Sequence, residues 1–597
     1  MAGSSREAMS AAVSSSLDDR LSRRTFLRTA AAVGAAGVLG ALLDACGSSS
    51  STTTPATSAA TKVPAVASAA PATAAPATAA TSAPAVATTG AASAAAPSAV
   101  ASNAAAPSGT VTIPLISNPT PNPIVLPGGL SSILLDKNLF GQLVRPDAGG
   151  GTPVPDLATK WDISPDGKTY TFSLRPGVKW HNGDPFTADD VKFTFDLMLD
   201  KKSNSAFINN LGPFTSADIV DPMTIRLNLS APYAPMLTIL AYNVMIVPKK
   251  LLQNEDINKP VNFIQNPVGT GPYKWKEFVS GDHVTLVANM DYWDGPPKIG
   301  TVVYKILPDL NTQVAQLRAG QLDIVMLEPS QVDALQNVPN VIINAANQTN
   351  YQYLAMNNSN PLFTDKRVRQ ALAYAIDRPT LVKSVLRGKG SVGNGPISPP
   401  MGWAYPQDQQ AFPFDTKKAQ DLLAQAGWQL QGGKLVKDGQ PFKFAILLDV
   451  GNPTRKDYAL VAQQTYQKLG MDVSIDSQEF NVWYDRTGKS DYDMFVAYWI
   501  TPPDPNALVN GYSANNSDKY KSQTVDDLFA QGRVATSQAD RKAIYAKLQQ
   551  ALYDDQPDVF MTYPPEYRAF SKRLQGYADI GIRDALYYTY KWTLSGS

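Results

Sequence analysis

Chemistry needs a nucleophile, a proton carrier, a metal ligand or a phosphate cradle, and this sequence offers few. Its 597 residues include 2 His and 1 Cys. That count argues against a His/Cys zinc site, a disulfide framework and an iron–sulfur cluster. An oxygen-ligand calcium or magnesium site stays open on composition. There is no G-x-S-x-G elbow, H-E-x-x-H helix, Walker A loop or dinucleotide fingerprint. His181, in Trp180-His181-Asn182-Gly183, and His283, in Gly281-Asp282-His283, both stand beside turns and read as satisfied turn histidines. The pair Asp189/Asp190 opens a helix, where the dipole favours anions, and Asp491/Asp493 likewise reads as structural. No catalytic residue, metal site or cofactor is expected. Lys+Arg is 52 and Asp+Glu is 51, a net charge of +1. So even a balance is unsuited to a polyanion, and no nucleic acid is expected as a partner.

The elements that would position a site begin well inside the chain. Arg23-Arg24 precede an uncharged apolar run over 30–43. That run, about 14 residues, is signal-peptide length and short of the roughly 20 a membrane span needs. The paired arginines resemble a twin-arginine export address. Leu43-Asp44-Ala45-Cys46 resembles a lipobox with an unusual Asp44, which predicts a signal over 1–45 and a lipid on Cys46. Residues 46–108 are almost wholly Ala, Ser, Thr and Pro. Such a segment cannot bury enough surface to offset its ordering entropy and reads as a disordered stalk.

Beyond the stalk, short strands are expected at 110–114, 168–174, 224–229 and 284–287. Thr187 and Asp190 have capping-box spacing before a helix marked by Val191, Phe195, Met198 and Leu199. Helices are predicted over 310–319, after Thr364, after Asp415 and over 455–469, with strands at 442–448, 471–475 and 492–499. Strand, helix, strand with short joins predicts a βαβ unit and a parallel sheet. Ligands of such a sheet sit beyond the carboxyl ends of its strands. That rule selects 449–453, 476–483 and 499–506.

Three blocks carry a resemblance. The first runs over 157–191, through Trp161-Asp162-Ile163-Ser164-Pro165-Asp166-Gly167 and Val178-Lys179-Trp180-His181-Asn182-Gly183-Asp184. The second is Asn266-Pro267-Val268-Gly269-Thr270-Gly271-Pro272-Tyr273 followed by Asn289-Met290-Asp291-Tyr292-Trp293. The third spans 357–378 around Phe363-Thr364-Asp365-Lys366-Arg367-Val368-Arg369. Together they closely resemble extracellular solute-binding protein family 5, the binding components of peptide and nickel ABC importers.

The resemblance implies an α/β, two-lobed periplasmic-binding-protein-like (type II, Venus-flytrap) fold. Lobe I would hold 109–305 with a β-rich subdomain over about 145–255, lobe II 306–563, and 564–597 would return to lobe I. Crossings are expected near Leu307-Pro308 and Tyr563-Pro564. The implied function is capture of a solute between the lobes by a monomer, and delivery to a membrane permease with cytoplasmic ATPase subunits. In relatives that take short peptides, an Asp just after the strand-end Trp fixes the ligand amino group; here the nearest candidate is Asp504. Asn118 and Asn122 follow the first strand of lobe I, also a cleft position by resemblance. Trp403, Tyr405, Trp483, Tyr498 and Trp499 fall on loops or strand ends facing one side. They serve either inter-lobe packing or stacking on a ligand. Oligopeptides are the expected solute, with oligosaccharides or metal chelates as alternatives. A tethered envelope sensor, chaperone or hydrolase is the alternative from another class.

Overall fold

The computed structural model describes residues 106–126, 129–149, 151–513, 516–577, 581 and 585–595. The expected signal, Cys46 and the stalk up to residue 105 lie outside the described residues.

Lobe I starts with β1 (Ser108–Leu115), which buries Val111, Ile113 and Leu115 in alternation. The subdomain follows as β2 (Ala158–Ile163), β3 (Thr169–Leu174), β4 (Phe214–Asp221) and β5 (Thr224–Leu229), in spatial order β2-β3-β5-β4. Tyr170, Phe172 and Leu174 point inward with Ile225, Leu227 and Leu229. Helix α1 (Ala188–Leu199) covers that face with Val191, Phe195 and Met198. Its start is fixed by Asp190, whose Oδ2 accepts the Thr187 N–H (3.1 Å). The lobe closes with β6 (Tyr273–Val279), β7 (His283–Ala288) and β8 (Ile299–Ile306), in the order β1-β8-β7-β6 with β1 parallel to β8. Gly269 and Gly271 lie so close to the main chain of Asn138 and Leu139 that a Cβ on either would collide with it.

Lobe II is built on a six-stranded sheet. Before it come α2 (Leu310–Arg318), β9 (Ile324–Leu327) and β10 (Val341–Ala346). The sheet takes in β11 (Asn350–Met356), β12 (Ser391–Val392), β13 (Lys443–Asp449), β14 (Asp472–Gln478), β15 (Met494–Ile500) and β16 (Asp558–Tyr563), in the order β12-β16-β11-β15-β13-β14. The predicted βαβ unit is present: α3 (Pro453–Lys468) joins β13 to β14, and β13 is parallel to both β14 and β15. Asn452 caps α3 by accepting the Arg455 N–H (2.9 Å), and Pro453 takes the first turn, where no N–H is missed. One predicted cap moves by a residue: Asp365, not Thr364, accepts from the helix, at the Arg367 N–H (2.9 Å). Thr364 instead donates to Pro361 O (3.2 Å).

After β16 the chain forms β17 (Glu566–Ser571), which pairs with β9 and β10 in a separate three-stranded sheet. Val314, Leu317, Leu322, Val325 and Leu327 share a core with Tyr567 and Ala569 there. Residues 307–346 thus pack around β17, and the chain enters the six-stranded sheet only at Asn350. The passages between that sheet and the rest fall at 347–349 and 564–565.

Lobe II also encloses two carboxyls. Tyr492 donates to Asp518 Oδ1 (2.6 Å) and Tyr512 to Asp558 Oδ2 (2.9 Å), while Asp558 Oδ1 has no partner. Burial pushes Asp518 up to about 6, and burial together with Asp518 drives Asp558 well above the ordinary carboxylate range. A carboxyl raised by folding stabilises fully below its unfolded pKa, and that contribution is lost as pH rises through the folded value. Asp558→Asn should therefore gain thermal stability relative to the parent as pH rises from 4 through 6 to 8. A pH-independent difference in Tm would refute the assignment.

Candidate functional site

Strand direction brings the candidate segments together. The carboxyl ends of β13, β14 and β15 (Asp449, Gln478 and Ile500) lie on one edge of the sheet. Because β11 runs antiparallel to β15 and β16, its start at Asn350 and the end of β16 at Tyr563 lie on that edge too. Both chain passages and all three selected strand ends therefore lie on the same edge of the sheet.

Two cavities open along it. The first, about 370 Å³, lies between the subdomain and lobe II. Tyr170 and Tyr233 line it from one side; Trp403, Asp504 and Arg541 line it from the other. Asp504 is buried, and its Oδ1 accepts from Arg541 Nη2 (2.8 Å) and from the Asn506 N–H (2.9 Å). Burial works against the Arg541 charge, and Asp504 beside it more than compensates, so the guanidinium pKa sits above its ordinary value. The ring of Trp403 lies 5.1 Å from the Arg541 guanidinium and edge-on to Tyr545. The lobes touch at this rim: Asn506 Nδ2 donates to Tyr233 Oη (3.1 Å) and Ala234 N–H to Arg533 O (2.8 Å).

The second cavity, about 390 Å³, lies where the end of β1 meets β9 and lobe II. Leu115 and Ile116 face Leu327, Glu328, Asp449, Arg455 and Phe480. Arg455 Nη1 pairs with Asp449 Oδ2 (3.2 Å) and its guanidinium covers the Trp483 ring at 4.7 Å. Burial pulls the Arg455 pKa down and Asp449 opposes it.

The structure therefore places Trp403 and Asp504 at one cavity and Trp483 behind the wall of the other. Tyr405 sits edge-on to Tyr563 and accepts from Asn394 Nδ2 (3.3 Å). Tyr498 accepts from Asn350 Nδ2 (2.8 Å). Trp499 leans on Tyr351 and on Gly511, where a Cβ would strike its ring. Asn118 holds the β6–β7 turn through Ser280 Oγ (3.1 Å) and the Gly281 N–H (2.9 Å). Asn122 is buried and donates to Ile257 O (2.8 Å). Neither asparagine lines either of these cavities. His181 accepts the Gly269 N–H at Nδ1 (3.1 Å) and donates to Gly271 O from Nε2 (3.0 Å). Burial pushes its pKa down to about 4, so it is neutral at pH 7. Arg541, Arg455 and Glu328 fall outside the segments selected from the sequence, whereas Phe480 falls within 476–483. Glu328 follows the carboxyl end of β9 and the strand-end rule could have found it; Arg541 has no local mark. Among the described residues no cluster of three His, Cys, Asp or Glu could hold a metal, and no helix is long and apolar enough to cross a membrane.

The profile of the bacterial extracellular solute-binding proteins, family 5 Middle, matches residues 152–520. The chain belongs to that family. Its place is that of the substrate-binding component of an ABC importer. It is 32% identical over 443 residues to the oligopeptide-binding protein AppA of Bacillus subtilis, covering 72% of this chain and 81% of AppA. It is 29% identical to a dipeptide-binding protein of Pseudomonas aeruginosa over 74% of this chain and 86% of that one. Among solved structures it resembles AppA of B. subtilis in complex with a nonapeptide (29% identity, TM-score 0.72, 82% of this chain and 99% of AppA). It equally resembles NikZ of Campylobacter jejuni in complex with Ni(L-His) (28%, 0.72, 81% and 99%). The two-lobed α/β fold is thus the family's.

Removing one half of the Asp504–Arg541 pair strands a buried charge. Arg541→Met should lower unfolding stability by about 3–5 kcal/mol, and adding Asp504→Leu should recover most of it. Denaturant titration checks both; an Arg541→Met chain as stable as the parent would show that the pair does not hold this wall.

Proposed function

We propose that this protein captures oligopeptides of several residues in the interlobe cleft and presents them to a membrane permease driven by cytoplasmic ATPases. The observation that carries the peptide reading is the cleft itself. It offers two cavities along one sheet edge, each lined by residues from separate parts of the chain, which suits an extended ligand longer than either cavity. The similarity to oligopeptide-binding AppA supports it. Asp504, the expected partner of a ligand amino group, forms an ion pair with Arg541 and presents no net charge to the cleft. An anchor of that kind is not needed by a ligand held through its own backbone. Trp403, with Tyr170 and Tyr233, supplies the aromatic surface of the first cavity; Trp483 supports the second from behind Arg455. Binding that touches both lobes shifts the open–closed equilibrium toward closure. The cited complexes of relatives make metal chelates the rival solute, and oligosaccharides a second.

Thermal unfolding of the chain with peptides, metal chelates or oligosaccharides separates these solutes. A peptide at a hundred times its Kd should stabilise by about 2.7 kcal/mol. Stabilisation by nickel chelates or sugars alone would replace the peptide assignment.

The proposal includes tethering through a diacylated Cys46, with the preceding segment as export signal and the stalk as spacer, at the extracytoplasmic face of the membrane. Two acyl chains anchor stably where one does not. Cys46→Ser should move the protein from the membrane fraction to the soluble fraction. Retention in the membrane would locate the anchor elsewhere.

A further inference from the structure

The two cavities differ in charge. In the first, one carboxylate meets one guanidinium, Asp504 with Arg541. In the second, two carboxylates, Asp449 and Glu328, face a single guanidinium, Arg455. Asp449 already has partners: its Oδ2 pairs with Arg455 (3.2 Å) and its Oδ1 accepts the Gly451 N–H (2.9 Å). Glu328 accepts the hydroxyl of Thr454 at Oε2 and caps the short turn at Gln331, and among the described residues no Lys or Arg comes within ion-pair distance of it, Arg455 acting on it only from farther off. Glu328 is half-buried at the mouth of a cavity whose other walls are mostly apolar. A carboxylate so placed is costly until a cation joins it.

We propose that the cavity at Glu328 is a cation subsite of the cleft, taking a Lys or Arg side chain of the bound peptide. The alkyl stem lies against Leu327, Ile116 and Phe480, the last of which is 52% exposed and so available to be covered. The charged head meets Glu328. Long cationic side chains suit such a place, since their stems bury well while their heads need a partner. This rests on the oligopeptide reading and adds selectivity to it: among peptides of equal length, those with a basic residue at one defined position bind tightest.

The test is calorimetric titration of the full-length chain with five-residue alanine-based peptides carrying lysine, norleucine or glutamate at each position in turn. Norleucine keeps the stem and removes the charge. Lysine should bind about tenfold or more tightly than norleucine at one position, and Glu328→Gln should erase that difference. Equal affinity of lysine and norleucine peptides on the unaltered chain would overturn the subsite and leave the oligopeptide function standing. A lysine preference that survives in a folded Glu328→Gln chain would overturn the assignment to Glu328. Binding of none of the peptides would overturn the oligopeptide function and the subsite with it.

Discussion

One constraint organises this molecule: β11 lies antiparallel between β15 and β16. A strand so placed begins where its neighbours end. The chain therefore enters the lobe II sheet and leaves it at one edge, and that edge is also where the parallel strands present their carboxyl ends. The cleft, the passages between lobes and the residues lining both cavities are consequences of that strand order. Had β11 run parallel to its neighbours, the entry and the ligand-facing ends would stand on opposite sides of the sheet.

Much of this was legible in the residues. The alternation of strand, helix over 455–469 and strand marked the parallel strands. Their ends then led to Asp449, Asn452, Phe480, Pro503 and Asp504, all of which line a cavity. The rest was illegible for definite reasons. Asp504 meets Arg541 through folding, and an ion pair between distant segments leaves no spacing to read. The pairing of β9 and β10 with β17 joins segments far apart in the chain, so the late entry into the six-stranded sheet has no local signal. At the helix after Pro361, Thr364 and Asp365 are both good caps, and only geometry chooses between them. The aromatic residues were found by position, but a sequence cannot tell a ring facing a ligand from one facing Tyr351 or Tyr563.

Burial sets the electrostatic character of the cleft more than composition does. A chain of near-zero net charge still holds a balanced cavity and an unbalanced one, because pairing is decided side chain by side chain. The same holds inside lobe II, where Asp518 and Asp558 sit among tyrosine hydroxyls and, among the described residues, form no ion pair. Those carboxyls favour a mildly acidic surrounding; neutral His181 favours the opposite.

The adjacency of the two passages also has a mechanical meaning. Two strands of chain crossing side by side define an axis, and a rigid body turning on it moves each point in proportion to its distance from that line. Glu328 follows β9, which is hydrogen-bonded to β17 immediately past the second passage. Atoms there travel little when the lobes rotate. The far rims of the lobes sweep a long arc for the same angle. The arrangement is a lever: a contact made near the fulcrum is read out as a large displacement at the outer surfaces, the part of the molecule a membrane partner can feel.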